Sequence, residues 1–160
     1  MAINPRYYKG PLPAKEKVKV AAQTWKAGAF CRQTDTYWVK CKAEATQING
    51  IFAENQASTA TAGDEVWIHR ITSPETMFVG TVSSGGADTK APSTCVGGNW
   101  GLGIVDSFCA VSLSNDSDEI LHIYDQLATK EPRFNDTTQV PGRVIFGITA
   151  AALTAEGAGL

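Results

Sequence analysis

Short apolar segments that alternate with a two-residue period recur between residues 18 and 148, and turn residues separate them. Such alternation is typical of half-buried strands, and the Asp106-Ser107 pair between two apolar runs indicates a tight hairpin. The best helix candidate, residues 119–130, contains β-branched residues and is compatible with a strand or a short helix. The pattern therefore predicts an all-β fold: a single β-barrel or β-sandwich domain of about ten short strands over residues 21–150.

The first twenty residues differ in composition from the rest of the chain. They contain three prolines, two adjacent tyrosines, five basic residues and one acidic residue, a net charge of +4. Because the whole chain carries −2, residues 21–160 carry −6. Prolines at this density disfavour a helix, so residues 1–20 are predicted to form an extended basic Pro/Tyr-containing arm, either frayed or lying on an acidic partner. The small residues of 151–160 predict a flexible C-terminal tail.

The segment from Val96 to Asp106 contains four glycines around Trp100, a composition that raises the question of phosphate binding. A dinucleotide loop needs G-x-G-x-x-G between a strand and a helix, and a P-loop needs G-K-[ST]. Neither pattern is present, and a pair of apolar strands follows the glycines. The segment is therefore predicted to be a turn and bulge over which Trp100 packs, or a contact surface if Trp100 is exposed.

The cysteines Cys31, Cys41, Cys95 and Cys109 lack the short paired spacing of a zinc site. They lie among apolar residues, which favours buried free thiols over metal or disulfide use.

Other chemical signatures are equally weak. His69 and His122 stand in no catalytic motif, and His69 is interpreted as a satisfied histidine on a strand face. The acidic cluster Asp116, Asp118 and Glu119 lacks calcium-loop spacing and is interpreted as a solvated turn. We therefore predict no catalytic residues, no metal and no cofactor.

The charge and hydropathy of the chain exclude further classes. A net charge of −2 and an isoelectric point near 5.6 argue against binding nucleic acid through its phosphates. No apolar run approaches the ~18 residues of a membrane helix. The first ten residues have no apolar stretch typical of a signal peptide. We expect neither a nucleic-acid nor a membrane partner.

Aromatic residues exceed what one small β core needs, with four tryptophans and four tyrosines in 160 residues. Such an excess on a β domain is typical of an interface. The candidate partner-binding residues are Arg6, Tyr7, Tyr8, Lys9, Lys15, Lys17 and Trp100.

Several strand and turn patterns resemble one known family. W-x-A-G-x-F (Trp25 to Phe30) precedes a strand reading GIFAE, A-G-D-x-V-x-I follows at Ala62 to Ile68, and GRVIFGI (Gly142 to Ile148) closes the domain. With the stretch Ile48 to Val82, these patterns make residues 24–150 similar to the small capsid decoration, or cement, proteins of tailed bacteriophages.

The resemblance implies a virion protein on the outer capsid surface, made in the host cytoplasm. It would bind the major capsid protein, bridge neighbouring subunits, stabilise the shell and form a homotrimer. It implies no reaction.

Two other functions remain open from the sequence. A carbohydrate-binding module would use Trp25, Trp38, Trp67 or Trp100 as a flat stacking platform. A small glycosidase or esterase would need two carboxylates, or a serine and a histidine, to converge in a pocket.

Overall fold

A computed structural model describes residues 3–114, 118–130 and 139–154. The described residues form twelve strands, two short helices and one 3-10 turn, which confirms the all-β prediction. The strands are β1 Arg6–Lys9, β2 Ala14–Lys19, β3 Phe30–Gln33, β4 Trp38–Lys40, β5 Gly50–Phe52, β6 Glu65–Arg70, β7 Met77–Ser84, β8 Ala87–Asp88, β9 Asn99–Val105, β10 Phe108–Ser112, β11 Leu121–Gln126 and β12 Arg143–Ile148. The helices are α1 Leu127–Lys130 and α2 Ala150–Thr154, and the 3-10 turn is Ser93–Cys95.

The larger of two sheets has seven strands, five of which close into a ring. Pairing runs β7–β10–β9–β11–β12, and β12 returns to β7. β7 can close the ring because it is eight residues long: Met77–Thr81 pairs with β12, whereas Val82 and Ser83 pair with β10 in parallel. β1 and β8 also pair with β7.

The smaller sheet has five strands in the order β2-β6-β5-β3-β4. A parallel bridge between Val20, just after β2, and Trp38 in β4 joins its two edges. The backbone N–H of Ala21 also donates to the Trp38 carbonyl at 3.2 Å. This sheet is therefore closed as well, so the hydrogen-bonding edges of β2 and β4 partly satisfy each other.

A single core cluster joins the two sheets. Phe30 from β3 is fully buried and lies edge-on to Phe78 and Phe146 of the larger sheet, with ring centroids 5.8 and 6.2 Å away. Within the smaller sheet, Trp25 stacks on Phe52 at 4.1 Å. Because Phe30 contributes to both sheets' packing, the molecule is expected to unfold as one unit.

Local features predicted from turn residues are confirmed. Asp106 and Ser107 join β9 and β10 with φ angles of 48° and 70°, the left-handed pair that a two-residue hairpin requires. The ambiguous segment at residues 119–130 resolves into β11 followed by α1, so both alternatives hold in part.

The described part of the predicted arm, residues 3–20, is extended, but it does not form an arm apart from the β domain. β1 pairs with β7 in the larger sheet, and β2 pairs along its whole length with β6 in the smaller one. The prolines lie before and between these strands, where the missing N–H disrupts no ladder. Val18 and Val20 are buried, which anchors the end of β2 in the core.

The predicted tail also needs a correction. Residues 150–154 form α2 rather than a flexible segment, and Ala152 is buried. The Ala152 carbonyl accepts a hydrogen bond from the Ile48 N–H at 3.2 Å, which attaches α2 to the smaller sheet. The prediction for residues 155–160 lies outside the described residues.

Candidate attachment surface

The structure distributes the seven predicted partner-binding residues over both sheets. Arg6, Tyr7, Tyr8 and Lys9 form β1, Lys15 and Lys17 lie on β2, and Trp100 lies on β9. Lys15 and Lys17 both lie over the ring of one exposed aromatic side chain on another strand, that of Trp67.

β2 and β6 build this juxtaposition from their sequences. In β2 (AKEKVK), the lysines occupy one face and Glu16 and Val18 the other, because side chains alternate along a strand. The antiparallel register places Lys17 opposite Trp67 and Lys15 opposite His69. Cross-strand partners share a face, so the lysines and the indole lie on the same side of the sheet.

Lys15 Nζ lies 5.0 Å and Lys17 Nζ 5.6 Å from the centroid of the Trp67 ring. Trp67 is 39% exposed, although it is a large apolar side chain in a regular strand. Lys17 also lies 3.6 Å from the Glu65 carboxylate. We call Lys15, Lys17 and Trp67 the Lys–Trp patch. It presents two cations beside a half-open indole.

The opposite face of the same strand pair is fixed by an ion pair. Arg70 donates to both carboxylate oxygens of Glu16, through Nε at 2.5 Å and the terminal nitrogen at 3.0 Å. Its guanidinium also lies 4.8 Å above the Trp38 ring. The hydrogen bond from Arg70 lowers the pKa of Glu16, and the same bond raises the pKa of Arg70. This bidentate pair holds β2 on β6 and so fixes the Lys–Trp patch.

The four candidate residues of β1 do not gather around one ring as the lysines of β2 do. The Tyr7 hydroxyl donates to the Gly10 carbonyl at 2.6 Å, which occupies its polar end within the turn. Tyr8 and Lys9 line a concavity of about 340 Å³ together with Met77 and Tyr124 of the same sheet. β1 therefore offers a second aromatic surface, which shares no residue with the Lys–Trp patch.

Trp100 is half-buried and packs against the core, as the turn-and-bulge interpretation expected, but it lies in β9 rather than in a turn. The predicted bulge is wrong, because β9 pairs with β10 without a register shift, and the turn is confined to Val96 and Gly97. Its indole N–H donates to the Cys95 carbonyl at 3.1 Å. A Cβ on Gly98 would lie 2.9 Å from the Trp100 Nε1, so this glycine is required for the ring to lie where it does. The indole N–H of Trp100 is therefore already hydrogen-bonded within this segment of the chain.

The other tryptophans bear on the carbohydrate alternative. Trp25 and Trp38 are 5% and 4% exposed, and the indole N–H of Trp25 donates to the Glu54 carbonyl at 2.8 Å. Neither can stack on a sugar in this structure, so a platform would depend on Trp67 and the exposed part of Trp100.

The four cysteines are buried and free, as predicted. Burial raises the pKa of Cys31 and Cys41 well above the usual thiol range and that of Cys109 to about 11. These thiols are therefore protonated at neutral pH and poor nucleophiles.

The remaining titratable groups form no recognisable reaction centre in the part of the chain that the structure describes. His69 is half-buried on β6, and His122 Nδ1 lies 2.6 Å from the Asn99 side-chain oxygen. No three metal-binding side chains cluster among the described residues, and no described helix is long and apolar enough to cross a membrane. Asp116 of the predicted acidic turn lies outside these residues.

No family model, curated protein or solved structure matches this chain.

Proposed function

We propose that this chain is a structural cement protein that attaches to the outer surface of a viral capsid, bridges major capsid subunits and stabilises the shell. The observation that supports this best is the Lys–Trp patch, an exposed indole flanked by two lysines on a rigid strand pair. The patch is suited to binding another macromolecule because it is preformed and carries both charge and apolar area.

The chemistry of the patch favours an acidic protein surface as its partner. Each lysine–indole contact is worth roughly 0.5–1 kcal/mol at an exposed site, which holds the lysines beside the ring. Lys15 faces solvent there, whereas Lys17 would exchange or share its contact with Glu65 on binding a partner's carboxylate. Charge pairs at an interface improve the rate and specificity of association more than its affinity. A single patch of this size is therefore a weak binder.

Weak contacts suit a protein that acts in many copies on a repeating lattice. Contacts made by linked copies add to an avidity far above that of one site. The charge asymmetry of the chain, +4 in residues 1–20 and −6 in the remainder, also favours contact between copies. The homotrimer that we propose follows from the resemblance to capsid decoration proteins.

The test is reattachment to particles that lack the chain. Particles are prepared by density banding from source cells in which the gene has been deleted, and purified protein is added back. We expect wild-type protein to band with shells that contain the major capsid protein and to appear as density on their outer surface by electron microscopy. Protein that remains in the soluble fraction would contradict the proposal.

Two charge-reversed variants test the role of the patch. K15E/K17E should lose most attachment, whereas K90E, which reverses a charge at an exposed position away from both candidate surfaces, should attach as wild type. Equal attachment of both variants would show that the Lys–Trp patch is not the contact surface.

A further inference from the structure

Two concavities beside the smaller sheet adjoin at Lys40, which lines both, and we call the pair the trough. The larger part has a volume of about 490 Å³ and includes Arg32 and Lys42, and the smaller has about 300 Å³ and includes Lys26. Their size lies in the range of ligand-binding clefts.

The trough is basic although the chain as a whole is acidic. Among the described residues that line it, four are cations (Lys26, Arg32, Lys40 and Lys42) and one is a carboxylate, Glu44. Lys26 and Lys42 are exposed, and Lys40 is half-buried. In a chain with a net charge of −2, this local excess of positive charge favours an anionic occupant.

The wall of the trough is held by internal hydrogen bonds. The Gln23 side chain donates to the Trp38 carbonyl at 3.1 Å and accepts from the Lys40 N–H at 2.8 Å. The Gln23 amide thus bonds two backbone groups of β4, as a neighbouring strand would. At the smaller end, the Asn55 side-chain oxygen accepts from the Ala27 N–H at 2.7 Å. These bonds fix the trough before any ligand arrives.

A residue with an unfavourable backbone conformation lies in the larger concavity of the trough. Glu44 has a φ of 63°, which is unusual for a residue other than glycine, and its N–H donates to the Leu102 carbonyl at 2.9 Å. A conformation of this kind is unfavourable by itself and persists where the surroundings hold it. It places the only carboxylate among the described lining residues at the edge of the basic trough.

The geometry points to an extended acidic polypeptide segment as the occupant of this trough, and we propose that the chain binds a carboxylate-rich strand of its partner there. A linear ligand fits because the cations are distributed along two adjoining concavities and Lys26 extends to Phe108 of the larger sheet, 4.2 Å from its ring. Alanines 21, 22, 45 and 57 line the trough and let a backbone approach closely.

A peptide fits better than a nucleic acid because the trough offers no stacking surface among its described lining residues. Its one aromatic side chain, Trp25, is buried and stacked on Phe52. Proteins that bind single strands depend on exposed aromatic rings for base stacking.

The inference rests on the proposed function for the identity of the partner. A cement protein that bridges two subunits needs two contact surfaces, and the trough shares no residue with the Lys–Trp patch.

The experiment measures fluorescence anisotropy of a fluorescein-labelled hexaglutamate peptide at low salt, with labelled hexaglutamine and a ten-nucleotide oligo-dT as the other probes. We expect hexaglutamate alone to bind, and K40Q/K42Q to weaken its binding about tenfold, given up to about 1 kcal/mol for each charge contact. K90Q/K130Q, with the same loss of charge, should change it less than about twofold by screened long-range effects alone.

Equal weakening by both variants, or binding of hexaglutamine as tight as that of hexaglutamate, would overturn the proposal. Tighter binding of oligo-dT that K40Q/K42Q abolishes would overturn it in favour of a nucleic-acid groove. Because the peptide assay uses no particles, its failure alongside intact capsid attachment would reject the trough and leave the proposed function standing. Peptide binding without capsid attachment would reject the proposed function and leave the proposed ligand of the trough standing.

Discussion

Replacing Phe30 tests whether the two sheets share one core. Its ring is fully buried and meets Phe78 and Phe146 edge-on. Removing a buried phenylalanine ring costs about 3–5 kcal/mol, and the two edge-to-face contacts place this site in the upper part of that range. F30A should therefore lower the free energy of unfolding by about 4–5 kcal/mol, a large share of the roughly 5–15 kcal/mol of a typical domain.

The more conservative variant F30L separates the two contributions. Leucine keeps most of the apolar volume but loses both ring contacts, each worth about 0.5–1.5 kcal/mol, so its cost should be about 1–3 kcal/mol. The assay is urea unfolding followed by tryptophan fluorescence and by circular dichroism, with both probes giving one transition of unchanged slope.

The matched control is Phe108, which is half-buried in a small separate cluster with Val105 and Ala110. F108A should cost about 1 kcal/mol, because partly exposed rings lose less on truncation. If F30A costs no more than F108A, or if the two probes report separate transitions, the sheets fold independently and the single core is wrong.

Further predictions concern groups elsewhere in the domain. The lowered pKa of Glu16 implies that its bond to Arg70 stabilises the fold above the unfolded carboxyl pKa near 4.5, and that this stabilisation is lost as the pH falls through the folded pKa. E16Q should therefore lower the free energy of unfolding by about 0.5–1 kcal/mol at pH 7. It should also flatten the fall in stability between pH 5 and 3, as measured by urea unfolding. The four buried thiols should resist Ellman's reagent at pH 8 in folded protein and react fully in denaturant, whereas fast native reaction would contradict their burial. G98A should displace the Trp100 ring and red-shift the summed tryptophan emission of the folded protein, and an unchanged spectrum would contradict the close contact between Gly98 and this ring.

The alternating segments predicted the fold class because each carries its burial pattern locally. In β6 the two-residue period alone identifies a strand, and in the β9–β10 hairpin the turn residues also determine the pairing. The segment of β11 stayed ambiguous because a register shift between Ile123 and Asp125 interrupts its period. The closure of each sheet was not predictable in this way. It depends on β7 pairing on both sides with strands far along the chain, and on one bridge from Val20 to Trp38.

The candidate site was predicted in part. Lys15 and Lys17 were identified from their charge, but Trp67 was considered only as a sugar platform, because its position opposite Lys17 is a matter of register between strands fifty residues apart. The signal available in the sequence was the lysine alternation in β2, which indicates a strand with one charged face. The prolines directed the interpretation toward a free arm instead.

The pairing of β1 and β2 changes how the attachment proposal must be tested. Deleting residues 1–20 would remove one strand from each sheet, and with it the Glu16–Arg70 pair and the buried Val18. The edges of β6 and β7 left behind would be open to pairing with other chains, so such a variant should aggregate whether or not its lost residues bind a capsid. Loss of attachment would then carry no information about the partner. K15E/K17E changes only exposed side chains on the outer face of β2 and leaves the strand pairing in place. Its effect on attachment can therefore be assigned to the Lys–Trp patch once its circular dichroism matches that of wild type and its urea transition, lowered by the lost lysine contacts, still lies well above the assay conditions.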